Sequence, residues 1–387
     1  MKASRFCVWS SAALAVLSPP TLAGDGDTTP PLRIQAFAAA SVIGTTNNHF
    51  FGDTRDGVDS RFSELGVNAL WQPHDRLQFS GQVLHRRAGE TDEGGLRLDY
   101  AQIDWTFFQG EQNRLGLKFG KPKLPYGLYN ETRDVPFTRP GILLPQSIYF
   151  DTIRDFVLAS PGMFLHGSGL GDYGSVEFNV GMVRPDLGTE SFRRNFLGNV
   201  PGSLEGHNSF AASLRWDAPT DTTLALYRVA FDTRYEPNPP PPPIFLNPPG
   251  RIELSSWLIS LQQRIDTWTL TVEHASPRLD YTEFGATPDR KTIGESWYGQ
   301  AEWRFHPDWE AMLRYDVQYR NNANRGDPKS HARDLTAGLR WDVTPNLMLR
   351  AEYHHINGTG WLSAAENNTA SAEPKWNMWL LQAALRF

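Results

Sequence analysis

Segments of roughly ten residues in which apolar and polar side chains alternate recur along this 387-residue chain, and no other feature constrains its fold as strongly. Trp297, Gly299, Ala301, Trp303 and Phe305 fall on one parity; Ser296, Tyr298, Gln300, Glu302 and Arg304 fall on the other. After His306-Pro307-Asp308 the pattern resumes, with Trp309, Ala311, Leu313, Tyr315, Val317 and Tyr319 set against Glu310, Met312, Arg314, Asp316, Gln318 and Arg320. A helix would scatter these sets around its circumference, whereas a strand sends successive side chains to opposite faces. The pair therefore reads as a hairpin. Similar units surround Trp71-Gln72-Pro73-His74-Asp75, Trp216 to Asp221 and Trp341 to Asn346, where an aromatic precedes Pro with Asp or Asn, the chemistry of short turns. With turns near Gly110, Asp172 and Asp266, seven short connections result.

Long polar segments separate these hairpins, at roughly 43–59, 88–96, 121–155, 184–206, 235–252, 279–294, 320–332 and 357–375. Eight long loops alternating with seven short turns require 16 strands, with both chain ends on the short-turn side. The expected fold is all-β: a transmembrane antiparallel β-barrel of about 16 strands with short periplasmic turns and long extracellular loops. A soluble solenoid would show a fixed repeat length, and these repeats vary. The last residues, WLLQAALRF, fit a closing strand, with Trp379, Leu381, Ala383, Leu385 and Phe387 on one face and Gln382 and Arg386 on the other. This strand should pair with residues 32–41, and Phe387 is the expected signal for the barrel-assembly machinery. Trp71, Trp105, Trp216, Trp303 and Trp341 sit at turn ends on the apolar parity, where an interfacial girdle would lie.

The N-terminus carries Lys2 and Arg5, an apolar stretch from Phe6 to Leu17 and small residues up to Ala23, the order of a signal peptide over residues 1–23. Cleavage after Ala23 would remove Cys7, the only cysteine, and leave a single barrel domain over 24–387 exported to the cell outer membrane of a Gram-negative bacterium. The formal charge of −6 becomes more negative once Lys2 and Arg5 leave, which argues against a nucleic-acid partner. No later stretch of 18 apolar residues would make a spanning helix.

Several motifs carry no chemistry in this setting. Gly169-Leu170-Gly171-Asp172-Tyr173-Gly174 matches GxGxxG but lacks a following helix, so it reads as a turn. His354 and His355 are adjacent on a strand and point to opposite faces, so neither metal nor cofactor is expected. No nucleophile is placed in a recognisable context, so an enzyme is not expected. The Pro run within 235–252 reads as a rigid external spacer.

The longest loop, 121–155, mixes charges of both signs with the apolar runs Ile142 to Leu144 and Ile148 to Phe150. Such anchors predict a loop folded back into the lumen as a constriction. The stretch from Leu96 to Asp155, with LRLDYAQIDW and then GKPKLPYGLYNE, resembles the porin superfamily that includes the phosphate-selective porins. In that superfamily a Gly-Lys/Arg-x-Lys-x-Pro-x-Gly segment opens the third loop. The resemblance implies a 16-stranded, usually trimeric diffusion pore with a folded-in third loop, and it marks Lys121, Lys123 and Gly127 as loop-opening positions. The inward set departs from the strongly cationic channels of phosphate-selective members by mixing Arg with Glu and Asp.

The expected constriction comprises Lys118, Lys121, Lys123, Arg133 and Arg139 opposed by Glu131 and Asp134, a local positive excess that predicts weak anion preference. The expected pore wall carries Arg215, Glu302, Arg314, Asp316, Arg340, Arg350 and Glu352, with Arg228 on the same polar parity. A 16-stranded barrel leaves an aqueous channel. The expected function is a porin for passive diffusion of small polar solutes or ions, with membrane lipid, lipopolysaccharide and a possible homotrimer as partners. The alternatives are a non-conducting barrel for adhesion or assembly and, less favoured, an outer-membrane enzyme.

Overall fold

The computed structural model describes residues 32–55, 57–185, 187, 202–238, 248–368 and 371–387. The signal segment 1–23, most of the Pro run and much of the fourth long loop lie outside these residues. The described strands form one antiparallel sheet of 19 members. Three are short rungs within long loops: Val58–Asp59, Ser203–Gly206 and Arg290–Ile293. Sixteen remain as barrel staves. They are β1 (Leu32–Thr45), β2 (Ser63–His74), β3 (Leu77–Ala88), β4 (Asp92–Gln109), β5 (Asn113–Lys121), β6 (Gly162–Gly171), β7 (Gly174–Val183) and β8 (Ser209–Asp217). The second half comprises β9 (Thr222–Glu236), β10 (Gly250–Ile265), β11 (Trp268–Thr282), β12 (Glu295–His306), β13 (Trp309–Tyr319), β14 (His331–Asp342), β15 (Leu347–Asn357) and β16 (Lys375–Arg386).

Closure is made by β1 and β16, whose register runs from Phe37 opposite Arg386 to Thr45 opposite Met378. Among the described residues each of the sixteen staves pairs on both sides, which satisfies the demand that every backbone polar group in a bilayer find a partner. The seven short turns fall where the sequence places them, including Asp172-Tyr173 within the GxGxxG match. The expected second long loop does not exist as one: β3 and β4 continue pairing to Ala88 opposite Asp92, and only residues 89–91 connect them. Gly94 and Gly95 both take positive φ there, so polar composition misread an extended hairpin as a loop.

The outward face is apolar and exposed, as with Leu313 (57%), Val272 (51%) and Leu381 (52%). Turn-end tryptophans share neighbouring rungs, with Trp268 stacked on Trp303 at 5.3 Å and Trp309 on Trp341 at 5.1 Å. That is the expected interfacial belt. The inward face departs from simple polarity. On β9 it carries Ala225, Tyr227, Val229 and Phe231, all buried, and on β16 it carries Trp376, Met378, Leu380 and Ala384. These strands are apolar on both faces because loops pack against them from within. Arg228 shares the outward parity of Leu224 and Leu226 on β9, its guanidinium 5.2 Å from the Trp257 ring, which corrects its assignment to the lumen.

Candidate functional site

Residues 122–161, between β5 and β6, fill the barrel at mid-height. Two single-turn 3-10 segments (Pro136–Thr138 and Asp151–Ile153) and the short helix α1 (Arg154–Leu158) shape this third loop. Asn130, fully buried, fastens its base by donating to the carbonyls of Leu124 (2.9 Å) and Val157 (2.8 Å). One side of the loop buries Leu124, Phe156 and Val157 against Val229, Phe231 and Ile252 of the wall. Leu144, Ile148 and Tyr149 pack on Ala225, Tyr227, Leu258 and Tyr298. Ile142 and Leu143 join a third cluster with Phe62, Trp361 and Trp376 under the external loops. The apolar runs seen in the sequence are therefore the anchors that fold the loop inward.

An irregular loop inside a barrel must satisfy its own backbone polar groups. Here the wall supplies partners of the matching type. Glu352 accepts from the N–H groups of Ile142 and Leu143, Asp316 from Ser147 N–H (3.3 Å), and Glu273 from Leu128 N–H (3.0 Å). Arg350 donates to the carbonyls of Pro136 (3.1 Å), Arg139 (2.6 Å) and Gly141 (2.7 Å), and Arg314 to Leu143 (3.0 Å). Four residues expected to line an open channel thus hold the loop, and Arg314 and Asp316 are almost fully buried beneath it. His354 braces this set, lying 2.7 Å from Asp334 and 3.3 Å from Glu352.

Glu273 is the most heavily used anchor and was not anticipated. Besides Leu128 N–H it accepts from the hydroxyls of Ser260, Tyr149 (2.6 Å) and Tyr298 (2.7 Å), with no cation in the set. Gly127 permits this approach: it takes φ of +69°, and a Cβ there would lie 2.3 Å from the Tyr149 hydroxyl. Only glycine suits both the left-handed backbone and the space.

On the opposite side the loop meets β2, β3 and β4 through a continuous network of ion pairs. Arg86 reaches Glu64 (3.4 Å), Asp92 (3.4 Å) and Asp151 (3.0 Å). Arg133 joins Asp151 (3.3 Å), and Arg139 joins Glu64 (2.6 Å). Lys123 pairs with Asp134 (2.7 Å), while Arg154 pairs with Asp134, Asp99 (3.3 Å) and Asp155 (3.1 Å). Arg97 closes the network on Asp92 (2.7 Å) and Asp155 (3.5 Å). Six basic and six acidic residues take part, so the positive excess counted from the loop alone is cancelled by the wall. Two small adjoining clefts, each with room for about one water molecule, border the network, and Arg86, Asp151 and Arg154 line both.

Burial pushes the Asp134 carboxyl upward, yet Lys123 and Arg154 outweigh it and hold the group well below the usual carboxylate range. Asp151 behaves alike, with Arg86 and Arg133 overcoming its burial. These charges are fixed across physiological pH.

The other expected site residues are scattered. Lys121 pairs in register with Ala101 on the lipid-facing side and donates to Leu98 O (3.2 Å), so it does not face the lumen. Lys118 faces inward opposite Asp104, outside the ion network. Glu131 is exposed, and its carbonyl accepts from Lys123 (2.7 Å). Nearer the short turns, Arg215 pairs with Asp217 (2.8 Å), Arg340 with Asp342 (2.8 Å), and Glu302 accepts from Gln300 (2.9 Å).

No known family model matches the chain, and no curated protein sequence matches it. Solved structures do. The trimer form of OmpT, an outer membrane protein of Vibrio cholerae, matches with a TM-score of 0.58 at 12% identity, over 93% of this chain and 100% of that one. The anion-selective porin from Comamonas acidovorans matches with a TM-score of 0.60 at 10% identity, over 92% and 99%. The outer membrane channel DcaP of Acinetobacter baumannii matches with a TM-score of 0.58 at 11% identity, over 94% and 99%. At such identities the likeness establishes the fold, and the fold of this chain is that of the outer-membrane porins.

Proposed function

We propose that this protein is an outer-membrane porin, a water-filled channel for passive diffusion of small polar solutes or ions, exported through a cleaved signal peptide and lacking enzymatic activity. The observation that carries this reading is the third loop, held across the lumen by wall side chains and bordered by the ion network and its clefts. A barrel of this size without such a loop would hold a wide aqueous lumen. With it, a solute meets a narrow passage beside Arg86, Arg133, Arg139, Arg154, Asp134 and Asp151. Opposed charges at close range order water and favour polar solutes over apolar ones. Lys118, Glu131, Glu302, Arg215 and Arg340 would line the approaches. Assembly by the barrel machinery, surrounding lipopolysaccharide and a homotrimer accord with this role.

A second reading rests on the same loop. Because it buries Arg314, Asp316 and Glu352 so completely, a barrel that conducts nothing and serves adhesion or assembly is the competing role. Single-channel recording of the purified protein in a planar bilayer separates them. Discrete conductance steps, and swelling of liposomes in small sugars, are expected of the porin. Their absence in correctly folded protein would leave the second reading.

A further inference from the structure

Between the third loop and the short turns, the inner faces of β1 to β4 present a grid of polar side chains that the barrel leaves unpaired. Register aligns Gln35, Asn68, Gln82 and Tyr100 in one row and Arg33, Leu70, Ser80 and Gln102 in the next. Neighbours within a row stand about 4.8 Å apart at the backbone, and the two rows about 6.7 Å apart. Gln82 donates to Asp99 (2.8 Å) and so belongs to the ion network above. Among the described residues the side chains of Gln35, Asn68, Ser80 and Gln102 make no hydrogen bond, and Arg33 forms no ion pair. Asn68 Oδ1 is shielded from solvent as well as unpartnered. Between Arg33, Gln35, Asn68, Ser80 and Tyr100 lies a recess with room for about one or two water molecules, hence for the oxygen of a hydroxyl group.

The facing wall differs. There Arg215 pairs with Asp217 (2.8 Å), Arg304 with Glu310 (2.9 Å) and Asp342 (3.1 Å), and Gln262 donates to Thr271 (3.1 Å), so its polar groups satisfy one another. Unpaired amides and a hydroxyl offer donors and acceptors side by side, because each amide carries both. The matching ligand is rich in hydroxyl groups, which likewise donate and accept. Leu70, half-buried within the second row, suits the apolar face of a sugar ring. Arg33 adds one uncompensated positive charge at the corner of the grid, and a guanidinium meets a carboxylate with two parallel N–H donors. We infer that this grid binds a sugar acid, a monosaccharide bearing one carboxylate, with the carboxylate at Arg33 and the hydroxyls on Gln35, Asn68, Ser80 and Gln102. A role in uptake rests on the porin reading; binding itself requires only access from the short-turn mouth.

The full-length protein in detergent micelles is titrated with glucuronate, glucose or acetate, binding is followed by saturation-transfer NMR, and inorganic phosphate is added as a competitor. Glucuronate should bind saturably and on the order of tenfold more tightly than glucose or acetate. R33Q should weaken glucuronate on the order of tenfold and leave the weaker glucose binding as it was. Partial recovery is expected for R33K, which keeps the charge and loses the fork. N68A/Q102A should weaken glucuronate and glucose alike. Heat-modifiable mobility equal to the parent shows that each variant has folded. Acetate binding as tightly as glucuronate, or phosphate displacing it at equal concentration, would reduce the grid to a site for any anion and overturn the assignment. Glucuronate affinity unchanged in R33Q, or in N68A/Q102A, would overturn it as well. Single-channel recording of the same preparation reports on the porin reading separately. Binding without conductance steps would keep the site and remove its role in uptake, whereas conductance without saturable glucuronate binding would keep the porin and remove the site.

Discussion

The phenol of Tyr149 donates to the carboxylate of Glu273 at 2.6 Å, tying the third loop to a wall residue 124 positions away in sequence. Around that one carboxylate converge two further hydroxyls and a backbone N–H, so it carries the loop on the side away from the ion network.

Glu273→Ala would strand these donors in a buried site, at roughly 1 to 3 kcal/mol for each that stays unpaired. The strands themselves lose no ladder hydrogen bond. The expected outcome is a displaced loop in an intact barrel: heat-modifiable mobility unchanged, single-channel conductance raised, and larger sugars admitted in liposome swelling. Conductance equal to the parent would mean that the loop does not set the width of the passage.

Phe387 exchanges backbone hydrogen bonds with Ala36, its N–H donating at 2.8 Å and its carbonyl accepting at 3.2 Å. Its ring is 72% exposed, available to membrane or assembly factors. Deleting Phe387 removes the last rung of the closing seam and the terminal aromatic together. The folded fraction recovered in membranes, read by gel mobility before and after heating, should fall severalfold. Recovery equal to the parent would show that closure is complete without it.

Leu313 and Ala337 face each other across β13 and β14 on the outward surface. Arginine at either should cost about 2 to 4 kcal/mol if that surface meets hydrocarbon. Ser80, half-buried on the inner wall beside Gln35 and Asn68, faces away from lipid and should accept arginine with less loss than either. Denaturant unfolding in lipid vesicles measures all three, and equal stabilities would reverse the assignment of faces.

The staves were legible because their signal is local. Leu313 and Arg314 differ in polarity within one strand, and a period of two needs no knowledge of partners. The inward fold of the third loop was legible for a similar reason, since Ile142 to Leu144 and Ile148 to Phe150 are too apolar for an exposed segment. Its partners were not legible. Arg139 meets Glu64 across 75 residues and Ile142 meets Glu352 across 210, separations at which sequence spacing carries no information. The same distance hid the inner apolar surface of β9, because Val229 and Phe231 look misplaced until Phe156 is packed against them.

Glu366, in the last long loop, clasps the first two external loops by accepting from the N–H groups of Phe51 (3.0 Å) and Glu90 (2.9 Å). Burial pushes its carboxyl up to about 7, against those N–H groups, with Glu90 adding repulsion. A raised carboxyl pKa means that the clasped state binds its proton more tightly than the open one. Its contribution is therefore full below about 4.5 and is lost as pH rises through about 7, a span worth roughly 3 kcal/mol. Hydrogen exchange at the Phe51 and Glu90 amides, corrected for intrinsic rates, should be slower at pH 5 than at pH 8. Glu366→Gln, neutral throughout, should abolish that difference. A difference that persists in the variant would assign it to another group.

Ion preference is decided by which charges remain uncompensated at the narrowest level. Counting the loop alone gave a positive excess, but Lys121 lies outside the lumen and the remaining loop cations meet carboxylates of the wall or of the loop itself. The network balances, so a reversal potential near zero is expected under a KCl gradient. Within it Asp134 faces both Lys123 and Arg154, which makes single charge removals informative in opposite directions. Asp134→Asn leaves one positive charge in excess and should produce anion preference; Lys123→Gln leaves one negative charge and should produce cation preference. Both shifts should shrink toward 1 M salt, where the screening length falls to about 3 Å. Lys121→Glu, on the lipid side, should change nothing in the same measurement. If Lys121→Glu moves the reversal potential and Lys123→Gln does not, the passage runs along a different wall from the ion network.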